Sequence, residues 1–111
     1  MRPGGARQKG LSFERQLAIW LRPVFPNARR QLEFHGNDAK GTDLQNTGLF
    51  RFQCKKLKKY ASISKIKEIV YQHAAGEIPV LVTAGNNTEP VAVLPLDDFI
   101  WLLEGARGLW E

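Results

Sequence analysis

Asp43, Gln53 and Lys55 have the types and spacing that suit metal-assisted chemistry on a phosphate ester. The acid can anchor a hard cation, the amide oxygen can extend its shell, and the ammonium can meet developing negative charge. If residues 49–56 form a strand, side chains alternate between its faces. Arg51, Gln53 and Lys55 then share one face, while Phe50, Phe52 and Cys54 share the other. Three apolar side chains are expected in a core and three polar ones toward a site. Asp43 precedes Gln53 by ten residues across an Asn46-Thr47-Gly48 turn signal, so a hairpin brings the carboxylate beside the amide.

The elements that must position these residues follow from periodicity. Phe13, Leu17, Trp20 and Leu21 recur at helical spacing over 12–22, with Glu14 one position off the stripe and Pro23 as the stop. Arg30, Leu32 and Phe34 alternate with Arg29, Gln31 and Glu33 in a first strand, which a polar loop over 35–41 follows. After the hairpin, Ser62 is placed to cap a second helix whose apolar face is Ile63, Ile66, Ile69 and Val70, with Gly76 as the stop. Residues 78–84 and 90–94 read as strands around a Gly85-Asn86-Asn87 turn, and Asp97 starts a final helix. The expected order is α-β-β-β-α-β-β-α, an α/β fold with a mixed central sheet flanked by helices.

Bulk properties bound the partners. A chain of 111 residues suits one domain, expected over 10–111, preceded by a basic arm over 1–9. The formal charge of +5 favours an anionic partner. Seven of the 16 Lys and Arg residues lie between Arg51 and Lys67, the local concentration expected of a nucleic-acid footprint. Cys54 is the single cysteine, which excludes an intramolecular disulfide and points to a reducing cytoplasm. No apolar segment is long enough for a membrane span, and 1–10 lacks the hydrophobic stretch of an export signal. No membrane partner is expected.

A glutamate on the first helix, an aspartate in the hairpin, then Gln53-Cys54-Lys55 followed by lysines and a helix resembles the PD-(D/E)xK nuclease superfamily. Within it the chain is similar to the archaeal-type Holliday junction resolvases. Lys9-Gly10, Ser12 and Glu14-Arg15 match the stretch that opens that family's first helix, and Ile78-Pro79-Val80-Leu81 matches a later strand. The likeness covers residues 9–84. It implies a restriction-endonuclease-like core and a homodimeric enzyme that resolves four-way DNA junctions. Glu14, Asp43, Gln53 and Lys55 would be its catalytic positions. The metal would be Mg2+, with Mn2+ able to substitute, held by Asp43, Gln53, Glu14 and the Cys54 backbone carbonyl. No nucleotide cofactor is implied. DNA contacts would come from Lys9, Arg15, Arg29, Arg30, Lys56, Lys58, Lys59 and Lys65. Such an enzyme works in the cytoplasm beside the nucleoid, or in a host cytoplasm if a virus carries it.

One position departs from the family. A glutamate is usual where this chain has Gln53, so the site loses a formal negative charge and metal affinity is expected to fall. Asp43 would carry most of the charge, and Lys55 is expected to act by electrostatic stabilisation, since a lysine of ordinary pKa is protonated at neutral pH.

Blander readings stand beside these. An acid followed by Gln-x-Lys is common on solvated strand faces, Glu14 suits a helix-surface ion pair, and Lys56, Lys58 and Lys59 suit a solvated face. A nuclease for other branched or duplex DNA is one alternative, and a non-catalytic DNA-binding module with a degenerate metal site is another. His35 and His73 are too isolated for a histidine metal site. Cys54 is expected in the core rather than as a nucleophile, and Trp20 and Trp101 as core aromatics.

Overall fold

The amphipathic stripe of the first helix meets a sheet whose central strand is buried throughout, and the rest of the fold follows from covering that strand on both faces. The computed structural model describes residues 11–31, 43–70 and 76–111. Its elements are α1 (Leu11–Leu21), β1 (Arg29–Arg30), β2 (Leu44–Gln45), β3 (Phe50–Lys56), α2 (Ile63–Val70), β4 (Ile78–Ala84), β5 (Val91–Val93) and α3 (Leu96–Gly105), ending in a 3-10 turn, Arg107–Leu109. The order is the one expected. The sheet is divided, however: β3, β4 and β5 form a mixed three-stranded sheet, and β1 pairs with β2 in a separate antiparallel ribbon. The expected continuation of the first strand through Leu32 and Phe34 lies outside the described residues.

β3 and β4 run parallel in register, Gln53 beside Leu81 and Lys55 beside Thr83, and β5 pairs antiparallel on the far side of β4. Every residue of β4 is buried, as suits a central strand covered on both faces. On one face Phe13, Leu17 and Ala18 of α1 pack against Phe52, Cys54, Val80 and Val82. Phe25, Phe50 and Phe52 close that core in tilted and edge-on arrangements, with centroids 5.9 to 6.5 Å apart. On the other face Ile69 and Val70 of α2 cover Leu81, with Ala61 beside them.

Local signals acted as their chemistry dictates. Asn46 and Gly48 both take positive φ, at 65° and 61°, which turns the chain between β2 and β3. The Thr47 hydroxyl donates to the Phe50 carbonyl at 2.8 Å, and the Phe50 N–H returns to the Thr47 carbonyl at 3.1 Å. Ser62 Oγ accepts the Lys65 N–H at 3.2 Å, the expected cap of α2. Gly85 is required by proximity: a Cβ there would lie 2.9 Å from the Lys59 Cα. That close approach lets Leu57 and Asn86 donate to the Ala84 and Lys58 carbonyls, prolonging the β3–β4 pairing past the strand end.

Three expectations need correction. Ile63 is exposed rather than part of the apolar face of α2, because it begins the helix beyond the edge of the Leu81 core. The last helix begins at Leu96 on a Pro95 N-cap, so Asp97 and Asp98 occupy its first turn, where their charge suits the helix dipole. Trp101 is not a core aromatic: it is 56% exposed on a helix that has no buried residue. Gly76 follows residues 71–75, which fall outside the described residues with His73 among them, as does His35. Among the described residues no helix is long and apolar enough to cross a membrane.

Candidate active site

Asp43 sits where the β1–β2 ribbon meets the edge of β3, and three backbone interactions fix it. Its N–H donates to the Phe52 carbonyl at 2.7 Å, and its carbonyl accepts the Gln31 N–H at 2.8 Å. Its Oδ2 accepts the Cys54 N–H at 2.7 Å. The hairpin therefore places the carboxylate beside the Phe52–Cys54 stretch, as its turn signal implies. Because the N–H and C=O of one strand residue point to the same edge, the Cys54 carbonyl lies on the edge that Asp43 occupies.

Glu14, Asp43 and Lys55 form one electrostatic group. Burial raises the Glu14 carboxyl above its usual range, and the Asp43 charge raises it further, against the opposing charges of Arg30 and Lys55. Burial also raises Asp43, offset by the Cys54 N–H and by Lys55. Both carboxyls thus bind protons more tightly than in water, chiefly because burial disfavours their charged forms. Burial, then Asp43 and Glu14, push the Cys54 thiol far up, so this buried side chain is a core residue and no nucleophile.

Gln53 and Lys55 share a strand face, as alternation requires, and both are half-buried. That face is not wholly a site, since Leu81 and α2 occupy its centre. Arg51, expected on the same polar face, is withdrawn into an ion pair with Glu77 at 3.3 Å. Gln53 and Lys55 lie at the margin of the second core, toward the end of β3 next to Asp43.

The residue that sequence reasoning missed is Thr83. Its hydroxyl is buried, donates to the Lys55 carbonyl at 3.0 Å and accepts the Ala61 N–H at 3.0 Å. It therefore fixes the end of β3 that carries Lys55. The signal was present: Thr83 is the only polar side chain in the run Ile78–Ala84.

The basic residues are not one uniform patch. Lys56 lies with its ammonium 5.8 Å from the Phe13 ring centroid, against α1. Lys65 pairs with Glu68 at 3.5 Å. The Arg29 Nε donates to Gln45 Oε1 at 2.8 Å. Arg30 acts on Glu14, while Arg15, Lys58 and Lys59 are exposed. Lys9 lies outside the described residues.

Glu14 and Asp43 are two neighbouring carboxyls, and the Cys54 carbonyl lies on the edge that Asp43 occupies; oxygen donors of this kind suit a hard divalent cation. Among the described residues no group of three or more His, Cys, Asp or Glu side chains converges. Comparison with family models, with curated proteins and with solved structures finds no match for this chain.

Proposed function

We propose that this chain is a metal-dependent DNA endonuclease with a restriction-endonuclease-like core, acting on four-way junctions as a homodimer. The observation that carries the reading is the group formed by Glu14, Asp43 and Lys55, with Asp43 locked to the Cys54 N–H beside Gln53. The resemblance to archaeal-type resolvases supports this reading, since Glu14 on α1, Asp43 just before β2 and Lys55 on β3 follow the order that it implies.

Asp43 and Glu14 would hold Mg2+, with Gln53 and the Cys54 carbonyl as neutral oxygen donors. When bound, the cation supplies charge neutralisation and activation of water for attack on phosphorus. Asp43 keeps its orientation through the Cys54 N–H, so that carboxylate is held in place before substrate arrives. The Lys55 ammonium stabilises negative charge developing on the phosphate oxygens. Exposed Lys58, Lys59 and Arg15 offer contacts to backbone phosphates, which supply affinity that falls with salt and carries no base code. One site makes one nick, so resolving a junction symmetrically takes two copies.

The test is a labelled four-way junction and a matching linear duplex, incubated with Mg2+ or EDTA alongside the Asp43→Asn variant. Paired, Mg2+-dependent nicks confined to the junction and lost in the variant are expected. Cutting of the linear duplex alone would move the reading to another nuclease of the same fold. A second reading is favoured by the neutral Gln53: a DNA-binding module whose metal site has decayed. Tight junction binding by both proteins with no cutting by either would establish it.

A further inference from the structure

The segment from Lys56 to Tyr60, directly after Lys55, is held by the fold along its whole length. Thr83 closes its two ends: one hydroxyl donates to the Lys55 carbonyl and accepts the Ala61 N–H, each at 3.0 Å. The turn after β4 holds its middle. Leu57 donates its N–H to the Ala84 carbonyl at 3.0 Å, the Lys58 carbonyl accepts the Asn86 N–H at 3.1 Å, and a glycine at position 85 lets the Lys59 backbone lie against it. Thr88 braces that turn, its Oγ accepting the Gly85 N–H at 2.6 Å. Tyr60 makes the last tie, its hydroxyl donating to the Glu89 carbonyl at 2.9 Å.

What this bracing presents to solvent differs from a plain solvated charge run. Leu57 and Tyr60 are 45% and 44% exposed, with Lys58 and Lys59 exposed between them. Because the Tyr60 hydroxyl is engaged, much of its open surface is ring, on a side chain whose rotamer freedom is already restricted. Among the described residues no acid pairs with Lys58 or Lys59. A fixed aromatic ring beside two ammonium groups is the combination that binds single-stranded nucleic acid: the ring stacks on a base and the cations track the backbone. Bases inside a duplex are covered on both faces by their neighbours, so the ring can stack only where a base is unpaired or splayed out.

We infer that Tyr60 stacks on an unpaired DNA base, with Lys58 and Lys59 on the flanking phosphates, and that the preferred substrate carries unpaired bases close to the phosphate that is cut. Thr83 supplies the connection, since the hydroxyl that holds the segment bearing Tyr60 is also bonded to the carbonyl of Lys55. The inference rests on the proposed nuclease reading for the phosphate that is cut; the stacking itself requires only DNA. It adds a discrimination that backbone contacts lack. Lysines meet the same phosphates on paired and unpaired strands, whereas a stacking ring tells the two apart. Branched DNA offers such bases more readily than a linear duplex, because each arm that ends at the branch loses a stacking neighbour there.

Fluorescence anisotropy in EDTA, where nothing is cut, tests it with a labelled oligothymidylate and a labelled duplex of equal length at one fixed salt concentration. Wild type, Tyr60→Leu and Tyr60→Phe are compared: leucine fills the space without a π face, and phenylalanine keeps the face and loses only the tie to Glu89. Tyr60→Leu should weaken oligothymidylate binding by roughly tenfold, the size of one base–aromatic stack, and leave duplex binding unchanged. Tyr60→Phe should retain most of the wild-type affinity for the strand. A 5-iodouracil in the strand should photocrosslink to Tyr60, located by mass spectrometry of the crosslinked peptide. An unchanged affinity in Tyr60→Leu, an equal loss toward strand and duplex, or crosslinks that miss Tyr60 would overturn the inference. With Mg2+ restored, a protein that cuts junctions without Tyr60-dependent strand binding sinks the stacking alone, and one that shows that binding but cuts no DNA sinks the nuclease reading alone.

Discussion

Cys54 donates its backbone N–H to the Asp43 carboxylate at 2.7 Å, so the acid of the candidate site is also a structural acceptor for the strand that carries Gln53 and Lys55. The two roles separate by substitution. Asp43→Asn keeps an oxygen for the Cys54 N–H and removes the charge, while Asp43→Ala removes both. Both variants are expected to lose Mg2+-dependent cutting. Only the alanine variant should lose about 1–2 kcal/mol of stability, the cost of a partly buried N–H left unsatisfied. Urea unfolding of both, beside the junction assay, checks this; equal stability losses would show that the bond holds nothing in place.

The raised carboxyls fix the sign of a pH effect. Glu14 and Asp43 bind protons more tightly in the folded protein than at their ordinary values of 4.5 and 3.8. Their protonation therefore favours the fold. That contribution is complete below those ordinary values and is lost as pH rises through the higher folded values. The metal-free protein should accordingly be less stable at neutral pH than at mildly acidic pH as far as this pair is concerned. Mg2+ should raise the melting temperature at neutral pH, and Glu14→Gln should raise it without metal while reducing cutting. Calorimetric scans of wild type and variant, with Mg2+ and with EDTA, check all three signs. A Glu14→Gln protein that melts lower without metal would overturn the account of this site.

Much of the arrangement was legible in the sequence because short-range chemistry determines it. Alternation in Phe50–Lys56 set the faces of β3, Asn46 and Gly48 set the turn that returns Asp43 to it, and Ser62 capped α2. Other features depend on tertiary partners that a pattern does not name. Arg51 alternates correctly with Gln53, yet Glu77 claims it across the start of β4. Ile63 has the right period but falls beyond the core that α2 covers. Trp101 has the composition of a core residue and stays in water, because burial is decided by what packs opposite. Thr83 reads as one hydroxyl in an apolar run, and only the parallel register shows that it reaches Lys55 and Ala61.

Gln53 is the position where the chain departs from the pattern it resembles, and restoring an acid there tests the metal reading directly. Gln53→Glu adds a third carboxylate beside two whose proton affinity is already raised. The expected result is tighter Mg2+ binding, with the midpoint for cutting falling by about tenfold, equivalent to about 1.4 kcal/mol. Without metal the same charge should destabilise the protein by repulsion. A Mg2+ titration of junction cutting, with isothermal calorimetry of Mg2+ alone, checks both. An unchanged midpoint would place Gln53 outside the metal shell.

Thr83 connects the second core to the site, and its removal should be felt at both. Thr83→Val preserves volume but strands the Ala61 N–H and removes the donor to the Lys55 carbonyl, both against a fully buried strand. The expected cost is about 2–4 kcal/mol, since each orphaned buried group costs about 1–3 kcal/mol. Thr83→Ser keeps the hydroxyl and should recover most of that loss. If Thr83 positions Lys55, the valine variant should also cut more slowly under conditions where it remains fully folded, while its affinity for junction DNA stays the same. Single-turnover cleavage at saturating protein separates the two, because a variant that is merely unstable would cut at the wild-type rate once folded.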